Sequence, residues 1–150
     1  MAQEEGRTLA ANADPLFVAG CMLYWAEGGK RRNQLQFVNS DPEMVAFFVR
    51  FLRTYWHLRE RDIRLTCNLF ADHAERQWET EQFWLDLAGL SRESLCKSTV
   101  NVYSKYSDKK RRNRLPYGTC RVTVSRTRVV QSIYRAIQGL GGFTREAWLE

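Results

Sequence analysis

Apolar positions along the chain follow two spacings, and each spacing predicts one type of element. Spacings of three and four residues predict helices at about 16–26, 42–55, 72–89 and 128–140. Strict alternation of apolar and polar residues predicts strands at 34–38, 63–69, 99–105 and 119–125. The order is helix, strand, helix, strand, helix, strand, strand, helix. It predicts an α+β fold with an antiparallel sheet packed on helices and one extra helix, 72–89, inserted between strands.

Helix start signals support these assignments. Asp14-Pro15 and Asp41-Pro42 each place a capping side chain before a proline at the first helical position. Asp72 and Glu75 form a capping-box pattern ahead of the third helix. The pair Gly28-Gly29 predicts the end of the first helix.

The polar side of the predicted strands has an unusual composition. It holds arginine, amide and hydroxyl side chains and no Asp or Glu: Gln34, Gln36, Arg64, Asn68, Asn101, Thr119, Arg121 and Thr123. These are the side chains that pair with base edges and phosphates. We therefore expect the polar sheet face to bind nucleic acid, with a merely solvated sheet as the alternative.

Composition points to the same class of partner. The 150 residues carry a net charge of +6 and a pI near 9.4, which favours a polyanion. Two basic clusters flank the predicted strands. They are the run Lys30, Arg31 and Arg32, and the loop residues Lys105, Lys109, Lys110, Arg111, Arg112 and Arg114, with Tyr103 just before them. We expect both clusters and Tyr103 to contact DNA, while ordinary solvated loops are the alternative.

The sequence also bounds location and domain organisation. The N-terminus has no apolar signal core, and no stretch approaches the roughly 18 apolar residues that a membrane span needs. We expect a cytoplasmic protein with no membrane partner and no small-molecule cofactor. The predicted domain covers residues 15–142, between an N-terminal extension, 1–14, and a C-terminal tail, 143–150.

The first helix carries the most specific pattern. Gly20, Tyr24, Glu27 and Gly28 fall on one stripe, and Gly20, beside Cys21, would let another helix approach closely. Glu27 stands in the last turn, where the helix dipole disfavours an anion by roughly 0.3–1 kcal/mol. A carboxylate at that end suggests a task involving a cation, with an ordinary surface glutamate as the alternative.

Three segments resemble a known family. Trp25-Ala26-Glu27-Gly28 is similar to the end of the LAGLIDADG motif of homing endonucleases in its Ala-Glu-Gly form. Residues 36–41 resemble the strand and Asp-started helix of those proteins, and residues 117–140 resemble their later half. The closest pattern is a bacterial branch with a Tyr-Trp-Ala-Glu-Gly signature, and the likeness covers about residues 15–142.

The resemblance implies a fold and an assembly. It implies a saddle-shaped antiparallel sheet on double-stranded DNA and a homodimer joined through the first helix. Gly20, Cys21, Tyr24 and Gly28 would then lie at the dimer interface. The chain departs from the family pattern at Trp25, which stands where the family has a second acid, and in the inserted helix. The literal string Leu87-Ala88-Gly89-Leu90 lacks the acid-glycine ending and has no functional weight.

The resemblance also implies a catalytic metal. Glu27 would be the catalytic residue and the ligand of a divalent cation, Mg²⁺ by preference, shared by two copies. The leading hypothesis is therefore metal-dependent cleavage of a specific duplex site. A non-catalytic DNA-binding regulator of the same fold is the second, and a structural or oligomerisation module is the third.

Overall fold

The computed structural model describes residues 14–101 and 116–148, apart from the side chains of residues 71–73. The helices are α1 (Pro15–Glu27), α2 (Pro42–Tyr55), α3 (Gln77–Ala88) and α4 (Thr127–Gly141). The strands are β1 (Leu35–Asn39), β2 (Arg64–Phe70), β3 (Thr99–Asn101) and β4 (Thr119–Val124). Short 3₁₀ turns occupy Glu60–Asp62, Ala71–Arg76, Arg92–Ser94 and Glu146–Trp148. The predicted α+β class is confirmed.

Two of the helices begin as their start signals predict. The Asp14 carboxylate accepts a hydrogen bond from the Leu16 backbone N–H at 3.0 Å, and Pro15 follows it. Asp41 accepts from the N–H groups of Glu43 and Met44 at 2.9 and 3.3 Å. Each carboxylate therefore satisfies amides that have no partner within the helix. The capping box expected at 72–75 is not the start of α3, because a 3₁₀ turn covers residues 71–76 and α3 begins at Gln77.

The four strands form one sheet in the order β1-β4-β2-β3. β4 is antiparallel to both β1 and β2, but β3 runs parallel to β2. The expectation of a wholly antiparallel sheet is therefore wrong, and the sheet is mixed. The inserted α3 explains the difference, because a helical crossover between two strands returns the chain to the same end of the sheet and makes the strands parallel.

The sheet has one covered face and one open face. Alternate residues of β1, β2 and β4 are fully buried against the helices, among them Phe37, Leu65, Cys67, Cys120 and Val122, each 0% exposed. The ring of Phe37 stacks on that of Phe48 from α2, with centroids 4.3 Å apart. The intervening residues are half-buried or exposed. We call their side the open face.

The residues after α4 pack back onto the helices. The Phe143 ring stacks on Trp25 of α1 with centroids 5.2 Å apart, and Trp148 stacks on Tyr134 of α4 at 4.8 Å. Trp148 is 5% exposed. Residues 143–148 therefore belong to the packed part of the protein. None of the helices within 14–101 and 116–148 is long and apolar enough to cross a membrane.

Candidate nucleic-acid interface

Strand register arranges the open face in rows that run across the sheet. One row holds Gln36, Thr123 and Arg64, and the next holds Val38, Arg121 and Thr66. A third row holds Thr119, Asn68 and Thr99, and Phe70 lies opposite Asn101 beyond it. None of these eleven described positions is acidic. The structure thus brings together seven side chains of the polar face that the sequence predicted to bind nucleic acid: Gln36, Arg64, Asn68, Asn101, Thr119, Arg121 and Thr123.

Hydrogen bonds hold several of these side chains in place. The Asn68 amide donates to the Thr119 hydroxyl at 3.1 Å, and the Thr99 hydroxyl donates to the Asn68 amide oxygen at 2.8 Å. Arg64 donates to the Glu93 backbone carbonyl at 2.6 Å. Side chains held in one geometry lose less conformational entropy when a ligand arrives.

A second chain of hydrogen bonds runs along the start of β1. The Gln36 side-chain amide donates to the Gln34 amide oxygen at 3.0 Å, and Arg31 donates to the same oxygen at 3.1 Å. The Gln34 amide group in turn donates to the Ser125 hydroxyl at 3.2 Å. The structure therefore joins two of the predicted basic and amide residues, Arg31 and Gln34, to the open face through Gln36.

Arg121 is the most unusual residue of the open face. It stands in β4, between the strands β1 and β2, and faces Val38 on one side and Thr66 on the other. Its Nε atom is buried and has no hydrogen-bond partner among the described residues. An unsatisfied buried donor costs roughly 1–3 kcal/mol. Such a group in a native protein calls for an explanation beyond stability.

One of the two predicted basic clusters lies within the described residues. Arg31 and Arg32 are exposed and lead into β1, at the end where Leu35 pairs with Val124. We call this the near end. Tyr103 and the basic loop residues, Lys105 to Arg114, lie outside the described residues. The segment that contains them joins Asn101 to β4 at the far end, where Asn68 pairs with both Thr99 and Thr119.

Four more arginines stand at the near end, and the sequence reasoning missed them. Arg59 and Arg61 precede β2, and Arg126 and Arg128 follow β4. A signal was available, since these arginines immediately adjoin predicted strand ends. Asp62 binds two of them, with 2.6 Å to Arg126 and 3.8 Å to Arg59. The Arg126 hydrogen bond, with the Arg59 backbone N–H, holds the pKa of Asp62 below its usual range.

Lys30, which was predicted to contact DNA, has hydrogen-bond partners within its own chain. Its ammonium donates to the backbone carbonyls of Tyr24, Trp25 and Gly28 at 3.3, 3.1 and 2.7 Å. A cation at this point offsets the negative end of the helix dipole. Burial, with the nearby charge of Arg145, lowers the pKa of Lys30. Lys30 therefore caps α1 within its own chain.

The side chains predicted for the dimer interface lie inside the protomer. Cys21 and Tyr24 are 0% exposed, and Gly20 is buried against α2. A Cβ atom at Gly20 would lie 2.2 Å from the Phe51 ring, so glycine is needed for the close approach of α2. The expectation that these three residues face a second copy is therefore wrong. The helix that approaches Gly20 belongs to the same chain.

The fourth predicted interface residue, Gly28, is half-buried at the end of α1. A Cβ atom there would lie 2.3 Å from the Tyr24 ring of the same chain. Gly28 also forms a single bridge with Phe37 of β1. The close packing at Gly28 is thus internal, and it brings the end of α1 against the edge of the sheet.

The opposite side of α1 is apolar and, among the described residues, only partly covered, with Phe143 stacked on Trp25. It carries Val18, Ala19, Met22, Trp25 and Ala26, which are half-buried or exposed. Trp25 is 37% exposed. No charged residue occurs from Pro15 to Ala26, so this helix is apolar around its whole circumference. We call these five residues the outer stripe.

Glu27 is exposed at the end of α1, as the proposed metal ligand must be. The described residues contain no group of three or more His, Cys, Asp or Glu side chains that could hold a metal ion. The three backbone carbonyls beside Glu27 already accept hydrogen bonds from Lys30. Among the described residues Glu27 is thus a single carboxylate, and the remaining ligands of a Mg²⁺ ion there would have to come from water, a phosphate or a second protomer.

Comparison with known proteins identifies no relative. No protein-family model, no curated protein and no solved structure matches this chain. The likeness to the LAGLIDADG family therefore rests on the motifs of the sequence alone.

Proposed function

We propose that this protein binds double-stranded DNA with the open face of its sheet, as a homodimer joined through the outer stripe of α1. The observation that carries the proposal is the open face itself. Arginine, amide and hydroxyl side chains from four strands stand there in registered rows without an acid among the described positions. That inventory matches the donors and acceptors that read base edges.

Duplex DNA fits this surface better than a single strand does. Proteins that bind single-stranded nucleic acid stack the bases on exposed aromatic rings. Phe70 is the one aromatic residue among the eleven described positions of the open face. A major groove about 12 Å wide admits a two-stranded ribbon, and β2 and β4 form such a ribbon at the centre of the sheet.

Arg121, at the centre of the open face, gives the proposal its most specific support. Guanine presents two acceptors in the major groove, and arginine is the side chain that most often binds them. Arg121 is half-buried and its Nε is inaccessible, so its terminal guanidinium N–H groups are the donors that would meet a base edge over the centre of the sheet. We therefore assign Arg121 the main part in base recognition.

The outer stripe supports the dimer. Ala19, Trp25 and Ala26 of this all-apolar helix stay exposed among the described residues, and a second copy of the same helix would bury them. Ala19 and Ala26 stand two turns apart on this side, and small side chains there permit close contact between two helices. A two-fold axis through the stripe makes the contact self-complementary. Two open faces that meet one duplex about such an axis would make the expected DNA site pseudo-palindromic.

The test is Arg121→Ala, measured on a duplex selected from a random library by the wild-type protein. We expect the dissociation constant to rise roughly 5- to 150-fold, which corresponds to about 1–3 kcal/mol for one bidentate arginine contact. Wild-type binding should weaken as salt increases. The readout is fluorescence anisotropy of the labelled duplex at several salt concentrations.

Arg50→Ala is the matched control, since Arg50 is exposed on α2 and its guanidinium lies over the Phe47 ring. It should leave the affinity within about twofold. Equal losses in Arg121→Ala and Arg50→Ala would mean that only net charge matters, and the open face would lose its assigned role. Absence of any duplex binding would favour the structural or oligomerisation module.

DNA cleavage is the second candidate, and Glu27 is the observation that favours it. The carboxylate is exposed at the end of the helix whose outer stripe would contact the second copy. Because the described residues of one protomer offer a single carboxylate there, we expect cleavage to need a second Glu27 from that copy. A divalent cation bound there would polarise a phosphate and activate water.

Glu27→Gln tests this candidate by comparing duplex cleavage in Mg²⁺ or Mn²⁺ with duplex binding in EDTA. If the protein is a nuclease, the variant should lose cleavage and keep binding. Intact duplex after incubation of the wild-type protein with either metal would leave the non-catalytic regulator as the function.

A further inference from the structure

The second row of the open face places an apolar side chain next to Arg121. Val38 of β1 pairs with Arg121 of β4, and Thr66 of β2 pairs with Arg121 on the other side. Val38 is 37% exposed, whereas Thr66 is half-buried. Among the eleven described positions of the open face, Val38 is the one large apolar residue that is exposed.

The apolar character of Val38 restricts what it selects on DNA. An alkyl group that covers a hydrogen-bonding atom of a base leaves that atom without a partner, which costs free energy. The apolar group that bases present in the major groove is the C5 methyl group of thymine. Contact between this methyl group and the valine removes apolar surface of both from water, which is favourable. A valine on a surface that reads base edges therefore favours thymine.

The position of Val38 determines which base pair it meets relative to Arg121. Side chains directly opposite each other on antiparallel strands have Cβ atoms about 4.5–5.5 Å apart. Successive bases along one DNA strand follow at about 3.4 Å. Two groups at this spacing lie over the same base pair or over neighbouring pairs. A guanine–cytosine pair contains no thymine, so a guanine bound by Arg121 leaves the neighbouring pair for Val38.

We propose that Val38 is a specificity-determining residue that selects thymine by contact with its C5 methyl group, in the base pair next to the guanine bound by Arg121. The inference rests on the proposed function. It extends that function from duplex DNA in general to two neighbouring bases in each half of the site.

The experiment replaces thymine by deoxyuridine, one position at a time, in the duplex that the wild-type protein selects from a synthetic random library. Uracil pairs with adenine as thymine does and lacks only the methyl group. We expect replacement of one thymine in each half-site to raise the dissociation constant roughly fourfold per position, which is the contribution of one buried methyl group. The readout is fluorescence anisotropy at constant salt.

Val38→Ala connects this effect to the protein, because it removes both methyl groups of the valine. In this variant, the same uracil replacement should change the dissociation constant by less than about 1.5-fold. Val100→Ala is the matched control. Val100 is also 37% exposed, but it pairs with Leu69, which is 0% exposed on the covered side, so Val100 lies on the opposite side of the sheet from Val38. Val100→Ala should keep the fourfold effect.

The proposal is overturned if no thymine of the selected duplex is sensitive to the loss of its methyl group. A uracil effect that persists in Val38→Ala would overturn it as well, since the methyl group would then act through the shape of the DNA. Urea denaturation of Val38→Ala reports whether this variant is folded, and the uracil scan with the wild-type protein needs no variant.

Replacement of guanine by 7-deazaguanine locates the base bound by Arg121, because it removes the N7 acceptor. The guanine whose replacement weakens binding of the wild-type protein but not of Arg121→Ala is the one sought. We expect the thymine sensed by Val38 in an adjacent base pair, and any other position would overturn the assignment. Failure of all duplex binding would remove the proposed function, whereas duplex binding without a methyl effect would remove only the role of Val38.

Discussion

Neighbouring residues of β4 lie in opposite environments, and the contrast extends across the whole sheet. Cys120, Val122 and Val124 are 0% exposed beneath the helices. Between them, Thr119, Arg121 and Thr123 belong to the open face. The covered side follows the ordinary rules of burial.

The open side departs from what stability alone would favour. Arg121 has a buried nitrogen without a partner among the described residues, and β1, β2 and β4 present arginine and amides there. A sheet face that only meets water has no use for an unsatisfied donor, because that donor costs free energy. The covered face therefore specifies the fold, whereas the open face is the surface on which we expect a ligand to bind.

Phe37→Ala tests the covered face of the sheet and has the largest expected effect on the free energy of unfolding. Phe37 is 0% exposed and stacks on Phe48, so truncation removes contacts and leaves a cavity. We expect the free energy of unfolding to fall by about 3–5 kcal/mol, measured by urea denaturation. Val38→Ala, one residue along β1 on the open face, is the control and should cost no more than about 1 kcal/mol. Similar losses for the two variants would show that the faces do not differ in this way.

Much of the fold could be predicted because it depends on local patterns. Period-two alternation placed Gln36, Asn68 and Arg121 on one side of the sheet, and the helix caps at Asp14 and Asp41 follow from side-chain chemistry. The parallel pairing of β2 with β3 could not be predicted this way. It depends on where α3 returns the chain, which no local spacing records.

The orientation of α1 could not be predicted for a different physical reason. A helix with a polar stripe shows which side faces water, but α1 is apolar around its circumference. Gly20 correctly indicated that a helix approaches closely, and the sequence could not show that this helix is α2. The outer stripe became visible only when the burial of each residue was known.

Ala19→Glu tests the corresponding contrast between the buried side of α1 and its outer stripe. Ala19 is exposed on the outer stripe, so the monomer accommodates the charge, while a dimer would bury two unpaired carboxylates at its axis. We expect the dimer to weaken by about 3 kcal/mol or more, measured by size-exclusion chromatography with light scattering. Ala74→Glu, at an exposed alanine outside α1, should leave the dimer intact. A wild-type protein that is monomeric at all concentrations would refute the proposed assembly.

Replacement of Asp62 has the smallest expected effect on the free energy of unfolding. The variant tests where the acid-free open face ends. This acid stands just before β2 and binds Arg126 and Arg59, so it organises the arginines of the near end without entering the acid-free rows. Its pKa in the folded protein lies below the usual value of 3.8, chiefly because of the Arg126 hydrogen bond. A depressed folded pKa stabilises the protein above the unfolded pKa, and this contribution is lost as pH falls through the folded pKa.

We therefore expect Asp62→Asn to lower the free energy of unfolding at neutral pH by no more than about 1 kcal/mol. The difference between wild type and variant should shrink as pH falls below about 4. Urea denaturation across this pH range measures it. Glu79→Gln is the control, since its pair with Arg76 is 72% and 68% exposed and should contribute less than about 0.5 kcal/mol. If the difference in unfolding free energy instead grew as pH fell, Asp62 would be held in its protonated form. Another group would then have to hold the arginines of the near end in place.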